Sequence, residues 1–87
     1  MQGTKQRILV VENDEDTLFL IENGLTKAGY VVETCAAASG IVEFKHPVPD
    51  LFILEKDLPT IDGIAVSKFL RLQTATKATP IIIISGR

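Results

Sequence analysis

Leu51-Phe52-Ile53-Leu54-Glu55-Lys56-Asp57-Leu58-Pro59-Thr60-Ile61-Asp62-Gly63 passes from four apolar residues into a run of charge, then into a turn marked by Pro and Gly. So short an apolar run reads as a strand buried on both faces. Beyond the turn, Ile64, Val66, Phe69, Leu70 and Leu72 predict a helix over 64–73, with the stripe of Ile64, Phe69 and Leu72 assigned to the core. The same grammar opens the chain. Arg7-Ile8-Leu9-Val10-Val11 runs into Glu12-Asn13-Asp14-Glu15-Asp16, and Leu18, Ile21, Leu25 and Ala28 then recur at helical spacing. Asp14 or Asp16 suits the N-cap, where a short carboxylate accepts a free amide hydrogen and its charge meets the helix dipole. Gly29 suits the C-terminal glycine position. Gly24 either weakens the helix by up to about 1 kcal/mol or admits a close neighbour.

Between these halves, residues 30–35 (Tyr-Val-Val-Glu-Thr-Cys) read as a strand and 37–45 as a short helix carrying Ile41, Val42 and Phe44. Pro47 and Pro49 punctuate its exit, and Ile81-Ile82-Ile83-Ile84 is the most apolar strand of the chain. The order βαβαβαβ with short connections predicts one domain over 1–87, a parallel sheet with helices on both faces. No repeat or linker interrupts it.

Composition narrows the classes of function. The chain has 87 residues, 46% apolar and 23% charged, with nine basic and eleven acidic residues for a formal charge of −2. That balance lacks the basic footprint of a nucleic-acid-binding domain. No apolar run approaches the roughly 18 residues of a membrane span, and the N-terminal residues lack a signal-peptide layout. Cys35 is the single cysteine, so no internal disulfide forms and a cytoplasmic location is expected. His46 stands alone beside Pro47 and reads as a surface loop residue, and Cys35 as a small buried apolar one.

Seven of the eleven carboxylates fall in two windows: Glu12, Asp14, Glu15 and Asp16 after the first strand, and Glu55, Asp57 and Asp62 after the third. In open doubly wound sheets the carboxy ends of the strands carry the ligand site. If the first and third strands are neighbours, the windows converge there. Crowded carboxylates repel, raise at least one pKa, and favour a cation such as Mg²⁺, which takes one or two carboxylates and keeps its waters. Taken singly, Asp14, Glu15 and Asp16 are also ordinary caps and dipole partners.

Three segments resemble the receiver domain of two-component response regulators: Ile8-Leu9-Val10-Val11-Glu12-Asn13-Asp14-Glu15, Pro49 through Gly63, and Pro80-Ile81-Ile82-Ile83-Ile84-Ser85. They hold the family's spacing over the whole chain. The resemblance implies a flavodoxin-like doubly wound sheet of strand order 2-1-3-4, with the family's fifth strand, its terminal Lys and the last helices missing. It implies an Asp at the end of the third strand that accepts a phosphoryl group from a histidine kinase. Mg²⁺ is then held by the acidic pair, the acceptor and a backbone carbonyl two residues further on. Counting back four residues from Pro59 and seven from Asp62 reaches Glu55, a glutamate where the family carries Asp. A slipped register would instead offer Asp57. The implied metal set is Glu12, Asn13, Glu55 and the Asp57 carbonyl, and Ser85 falls at the Ser/Thr switch position.

The departures bear on function. Glu is about 1.5 Å longer than Asp, enough to misplace a nucleophile that works by in-line positioning, and it resembles the phosphorylated state in reach and negative charge, with fewer oxygens and no extra charge over Asp. Asn13 stands where the second acidic residue of the pair is expected and offers no charge, so weak Mg²⁺ binding follows. Lys56, the only base in either window, is positioned to neutralise the cluster in place of a metal. The expectation is a non-catalytic, receiver-like module signalling through protein contacts, with a phosphorylatable receiver as the alternative. No G-x-G-x-x-G or Walker motif follows the first strand, which argues against a nucleotide-binding enzyme. A histidine kinase or other signalling protein is the expected partner, with an output domain if the chain is a fragment. The apolar fourth strand would otherwise recruit a second copy at its edge.

Overall fold

Strands β1 (Arg7–Val11) and β3 (Leu51–Glu55) are buried along nearly their whole length and pair in parallel at the centre of the sheet. The structure is a computed structural model, and it describes residues 5–42 and 47–85. The other elements are α1 (Glu15–Lys27), β2 (Val31–Cys35), α2 (Ser39–Val42), α3 (Gly63–Leu72) and β4 (Ile81–Ile84). All pairings are parallel and the strand order is β2-β1-β3-β4, the doubly wound topology expected from the sequence.

Strand alternation divides the interior in two. Ile8, Val10 and Ile53 face α1, whose Leu18, Ile21 and Leu25 cover them. Leu9, Val11, Phe52 and Leu54 face the opposite way, against Ala38 and Ile41 of the α2 region, Leu58, and Val66 and Leu70 of α3. At about 25 cal/mol per Å² of apolar area, these two layers supply the main favourable term in folding.

Helix ends follow their chemistry. The Asp14 carboxylate caps α1 by accepting from the Thr17 amide at 2.9 Å and its hydroxyl at 2.6 Å. Ala28 is the C-cap and Gly29 follows with φ +102°, a left-handed conformation that costs glycine nothing. Asp62 caps α3 through the Ile64 amide at 2.7 Å. At the amino edge of the sheet, Arg7 donates its amide to Asp50 at 2.8 Å and its guanidinium to the Pro47 carbonyl at 3.0 Å and to the Glu33 carboxylate. The turn into β4 is held from α3: Arg71 donates to the carbonyls of Lys77 and Thr79 at 3.0 and 2.7 Å, and the Thr76 hydroxyl to Leu70 O at 2.7 Å.

Two expectations are corrected and one open alternative is decided. The inward stripe of α3 is Gly63, Val66 and Leu70, whereas Ile64, Phe69 and Leu72 are exposed, Leu72 by 83%. Entry from the Asp62 cap sets the helix rotation, which apolar spacing alone does not. Helix α2 starts at Ser39, not residue 37, and its expected continuation through Phe44 and Lys45, like His46, lies outside the described residues. Gly24 has open space around it, so its cost is one of helix propensity. Among the described residues no helix is long and apolar enough to cross a membrane.

Candidate functional site

The register sets the site. Val11 pairs with Leu54 and Glu55 with Ile84, so Glu12, Glu55 and Ser85 emerge at neighbouring carboxy ends of β1, β3 and β4. Backbone bonds continue the ladders past these ends: the Glu12 amide donates to Cys35 O at 3.0 Å and the Lys56 amide to Ile84 O at 2.8 Å. The two acidic windows therefore meet at one edge, as their placement after the first and third strands predicted.

Inside that edge lie two buried glutamates, Glu12 and Glu55, only 2% and 5% exposed. Each folds back onto its own loop. Glu12 Oε2 accepts from the Asp14 amide at 3.0 Å, and Glu55 Oε2 accepts from the Asp57 amide at 3.0 Å. The sequence carries a signal for this pairing that motif reading passed over: both windows are Glu-x-Asp, Glu12-Asn13-Asp14 and Glu55-Lys56-Asp57. Burial pushes the Glu12 carboxyl above its ordinary pKa; the Asp14 amide opposes this, and the neighbouring charge of Glu55 adds to it. Glu12 Oε1 is buried without a hydrogen-bond partner.

The remaining acids have structural employment. Asp14, held below the usual aspartate range by the Thr17 hydroxyl and amide, and Asp62 are N-caps. Glu15 and Asp16 lie in the first turn of α1. Lys56 Nζ sits 3.7 Å from Asp57 and 3.6 Å from Asp62, so it bridges the outer loop acids and forms no ion pair with the buried glutamates. Asn13, Asp57 and Ser85 are exposed at the rim. Cys35 is half-buried and its thiol is pushed up by burial, with Glu33 adding to the shift.

Gly63, which the sequence marked only as part of a turn, is a tight contact. A Cβ there would stand 2.2 Å from the Glu55 carbonyl oxygen, and the Gly63 amide donates to Lys56 O at 2.7 Å. The first turn of α3 is thereby seated directly on the end of β3.

All the rim and interior donors are oxygens, which matches a hard cation such as Mg²⁺, and the orphaned Glu12 Oε1 is an available ligand atom. The carboxylate count is low: among the described residues no group of three or more His, Cys, Asp or Glu is arranged to hold a metal ion.

Comparison with known proteins agrees with this architecture. The profile of the response regulator receiver domain matches residues 8–87. The chain belongs to that family, the receiver domains of two-component systems, which act as signalling modules. It is 32% identical over 85 residues to the transcriptional regulatory protein PrrA of Mycobacterium tuberculosis, covering 97% of this chain and 36% of that protein. It is 40% identical over 82 residues to the uncharacterized transcriptional regulatory protein YvcP of Bacillus subtilis, covering 93% and 33%. The chain thus spans about a third of the length of these relatives. Among solved structures, the chemotaxis response regulator CheY4 of Vibrio cholerae superposes with a TM-score of 0.86 at 27% identity, covering 92% of this chain and 68% of that one. The response regulator TrrA of Thermotoga maritima, in complex with Mg²⁺-BeF, gives 0.84 at 28% identity, covering 94% and 70%.

Proposed function

We propose that this receiver domain works as a pseudo-receiver: Glu55 occupies the phosphoacceptor position, and the domain signals through protein contacts. The observation that carries the reading is Glu55 itself, buried at the carboxy end of β3 beside Glu12 with one carboxylate oxygen committed to the Asp57 amide. A carboxylate one bond longer and already hydrogen-bonded is poorly placed for in-line attack. Its longer reach instead carries a carboxylate toward where a phosphoryl group would sit, with fewer oxygens and no extra charge over Asp.

Glu12, the Asn13 side-chain carbonyl, Glu55 and the Asp57 carbonyl would hold Mg²⁺, which when bound would neutralise the crowded carboxylates. Asn13 removes one charge from that set, so binding is weak. Ser85, one residue past the Ile84 partner of Glu55, would serve as the switch hydroxyl. The partners are a histidine kinase or another signalling protein, and an output domain in a longer protein of the kind the transcriptional relatives represent. The setting is cytoplasmic.

Incubation with acetyl phosphate and Mg²⁺, followed by intact mass, tests this. The expected result is no gain of a phosphoryl group, and Mg²⁺ affinity that rises several-fold in Asn13→Asp by calorimetric titration. The pair Asn13→Asp with Glu55→Asp is expected to recover phosphorylation in a protein whose remaining sequence supplies the family's Lys. A phosphoryl adduct on the unaltered chain that disappears in Glu55→Gln would instead establish a phosphorylatable receiver.

A further inference from the structure

Helix α3 is apolar on two sides. Val66 and Leu70 pack into the core, whereas Ala65, Phe69 and Leu72 stay exposed, Leu72 by 83%. At about 100° per residue these three fall within about 60° of one another, so they form one apolar stripe along the outside of the helix. Ile61, 40% exposed on the loop that enters α3, stands at the amino end of that stripe. Between this helix and the start of α2 runs a groove of about 300 Å³, walled by Ala38, Ile61, Val66 and Phe69. Ile61 and Phe69 belong to both stripe and groove, which makes the two a continuous surface. Apolar residues scattered singly over a surface are ordinary, but a contiguous patch marks an interaction site.

We propose that this surface docks a second copy of the chain, α3 against α3, antiparallel about a two-fold axis midway between Ala65 and Phe69. The geometry is self-complementary. Such an axis sets Ala65 of one copy opposite Phe69 of the other, a small side chain against a large one, and does so twice. It also carries Leu72, the most exposed member of the stripe, across to the amino end of the second helix. At about 1.5 Å per residue Leu72 lies roughly 7.5 Å beyond the axis and Asp62 the same distance before it. Leu72 therefore arrives beside Ile61, at the mouth of the groove. Each copy seats its most exposed apolar side chain against the groove of the other.

Charge selects a second copy as the occupant and fixes its direction. Residues 55–62, ahead of the helix, hold Glu55, Asp57 and Asp62 against one base, Lys56. Residues 68–79 hold Lys68, Arg71 and Lys77 and no acid. The Arg71 guanidinium is engaged by the carbonyls of Lys77 and Thr79, while Lys68 and Lys77 form no ion pair among the described residues. An antiparallel pair lays the basic end of each helix over the acidic end of the other, with Lys77 toward Asp57 and Asp62. A parallel pair would set acid on acid and base on base. The opposed helix dipoles act in the same sense as the side chains. A helix of uniform charge would suit one end of α3 and be repelled by the other, whereas this chain's own α3 suits both. This inference stands independently of the role proposed for Glu55.

Sedimentation equilibrium of the full chain at rising concentration tests it. The expected result is conversion of the monomer to a species of twice its mass. In a mixture of isotope-labelled and unlabelled chains, intermolecular NOEs are expected from the Leu72 methyl groups of one copy to Ile61 of the other, a readout free of substitution. Leu72→Ser is expected to weaken association about tenfold, and Lys77→Glu several-fold, while far-UV circular dichroism remains that of the folded chain. The Lys77→Glu difference should fade with added salt and the Leu72→Ser difference persist. Phe19→Ser on α1, where the ring is 62% exposed, is expected to leave association unchanged. A monomer throughout the micromolar range overturns the proposal. So does a dimer that tolerates Leu72→Ser as well as it tolerates Phe19→Ser, or NOEs that join Leu72 to Leu72 in place of Ile61.

Discussion

Glu12 is the residue whose environment works hardest against its charge. Burial raises its pKa, and linkage gives the sign of the consequence. A group with a folded pKa above its unfolded value stabilises the fold at pH below the unfolded value, and that contribution is lost as pH rises through the folded pKa. In metal-free buffer, Glu12→Gln is therefore expected to raise the midpoint of urea unfolding at neutral pH. The difference should fade as pH falls toward the ordinary glutamate range. The substitution keeps an acceptor for the Asp14 amide and offers a donor where Oε1 now has no partner. Equal gains at acidic and neutral pH would show that packing, not ionisation, had changed. The roles of individual residues were the least legible feature of the sequence. The windows announced a cluster of acids and Asp14 as a cap candidate, but not that Asp62 caps α3 while Glu12 and Glu55 turn inward. That division depends on which backbone amides the folded loops leave free.

At the scale of elements, the strands were the easiest to read and helix rotation the hardest. β1 and β4 match their apolar runs residue for residue, because an apolar tetrapeptide between polar neighbours has few other uses. The inward face of α3 was misread because Ile64, Phe69 and Leu72 are large and apolar, although they spread over about 140° of the helix while Val66 and Leu70 stand one turn apart. What decides is the seating of Gly63 on Glu55, a backbone contact that no hydrophobic pattern encodes. Gly63→Ala is expected to cost about 1–3 kcal/mol, since the new Cβ would meet carbonyl backbone at 2.2 Å and not a yielding side chain. Chemical denaturation measures it. No loss, or a gain like the one helix propensity gives Gly24→Ala where space is open, would show that the loop relaxes freely.

For the whole molecule, the sheet has helices on both faces, yet the chain is small. Leu54 is fully buried in the larger core, and Leu54→Ala is expected to cost about 2–5 kcal/mol by denaturant unfolding. Stability of a domain is typically about 5–15 kcal/mol, so that single truncation removes a large share. A loss below about 1 kcal/mol would indicate that the α2 and α3 side of the sheet repacks readily. A doubly wound parallel sheet was legible from chain order, because right-handed crossovers leave few arrangements, whereas the strand order that brings the two acidic loops together came from the family resemblance.

The seating of Gly63 also ties the acidic edge to one helix. With the first turn of α3 resting on the Glu55 carbonyl and hydrogen-bonded to Lys56 O, there is no slack between strand end and helix. The Glu55 backbone meets the first turn of α3 directly, whereas α1 packs on the same strand through Leu18, Ile21 and Leu25 against Ile53. The helix joined most closely to the acidic edge is thus the one that displays Phe69 and Leu72 to solvent.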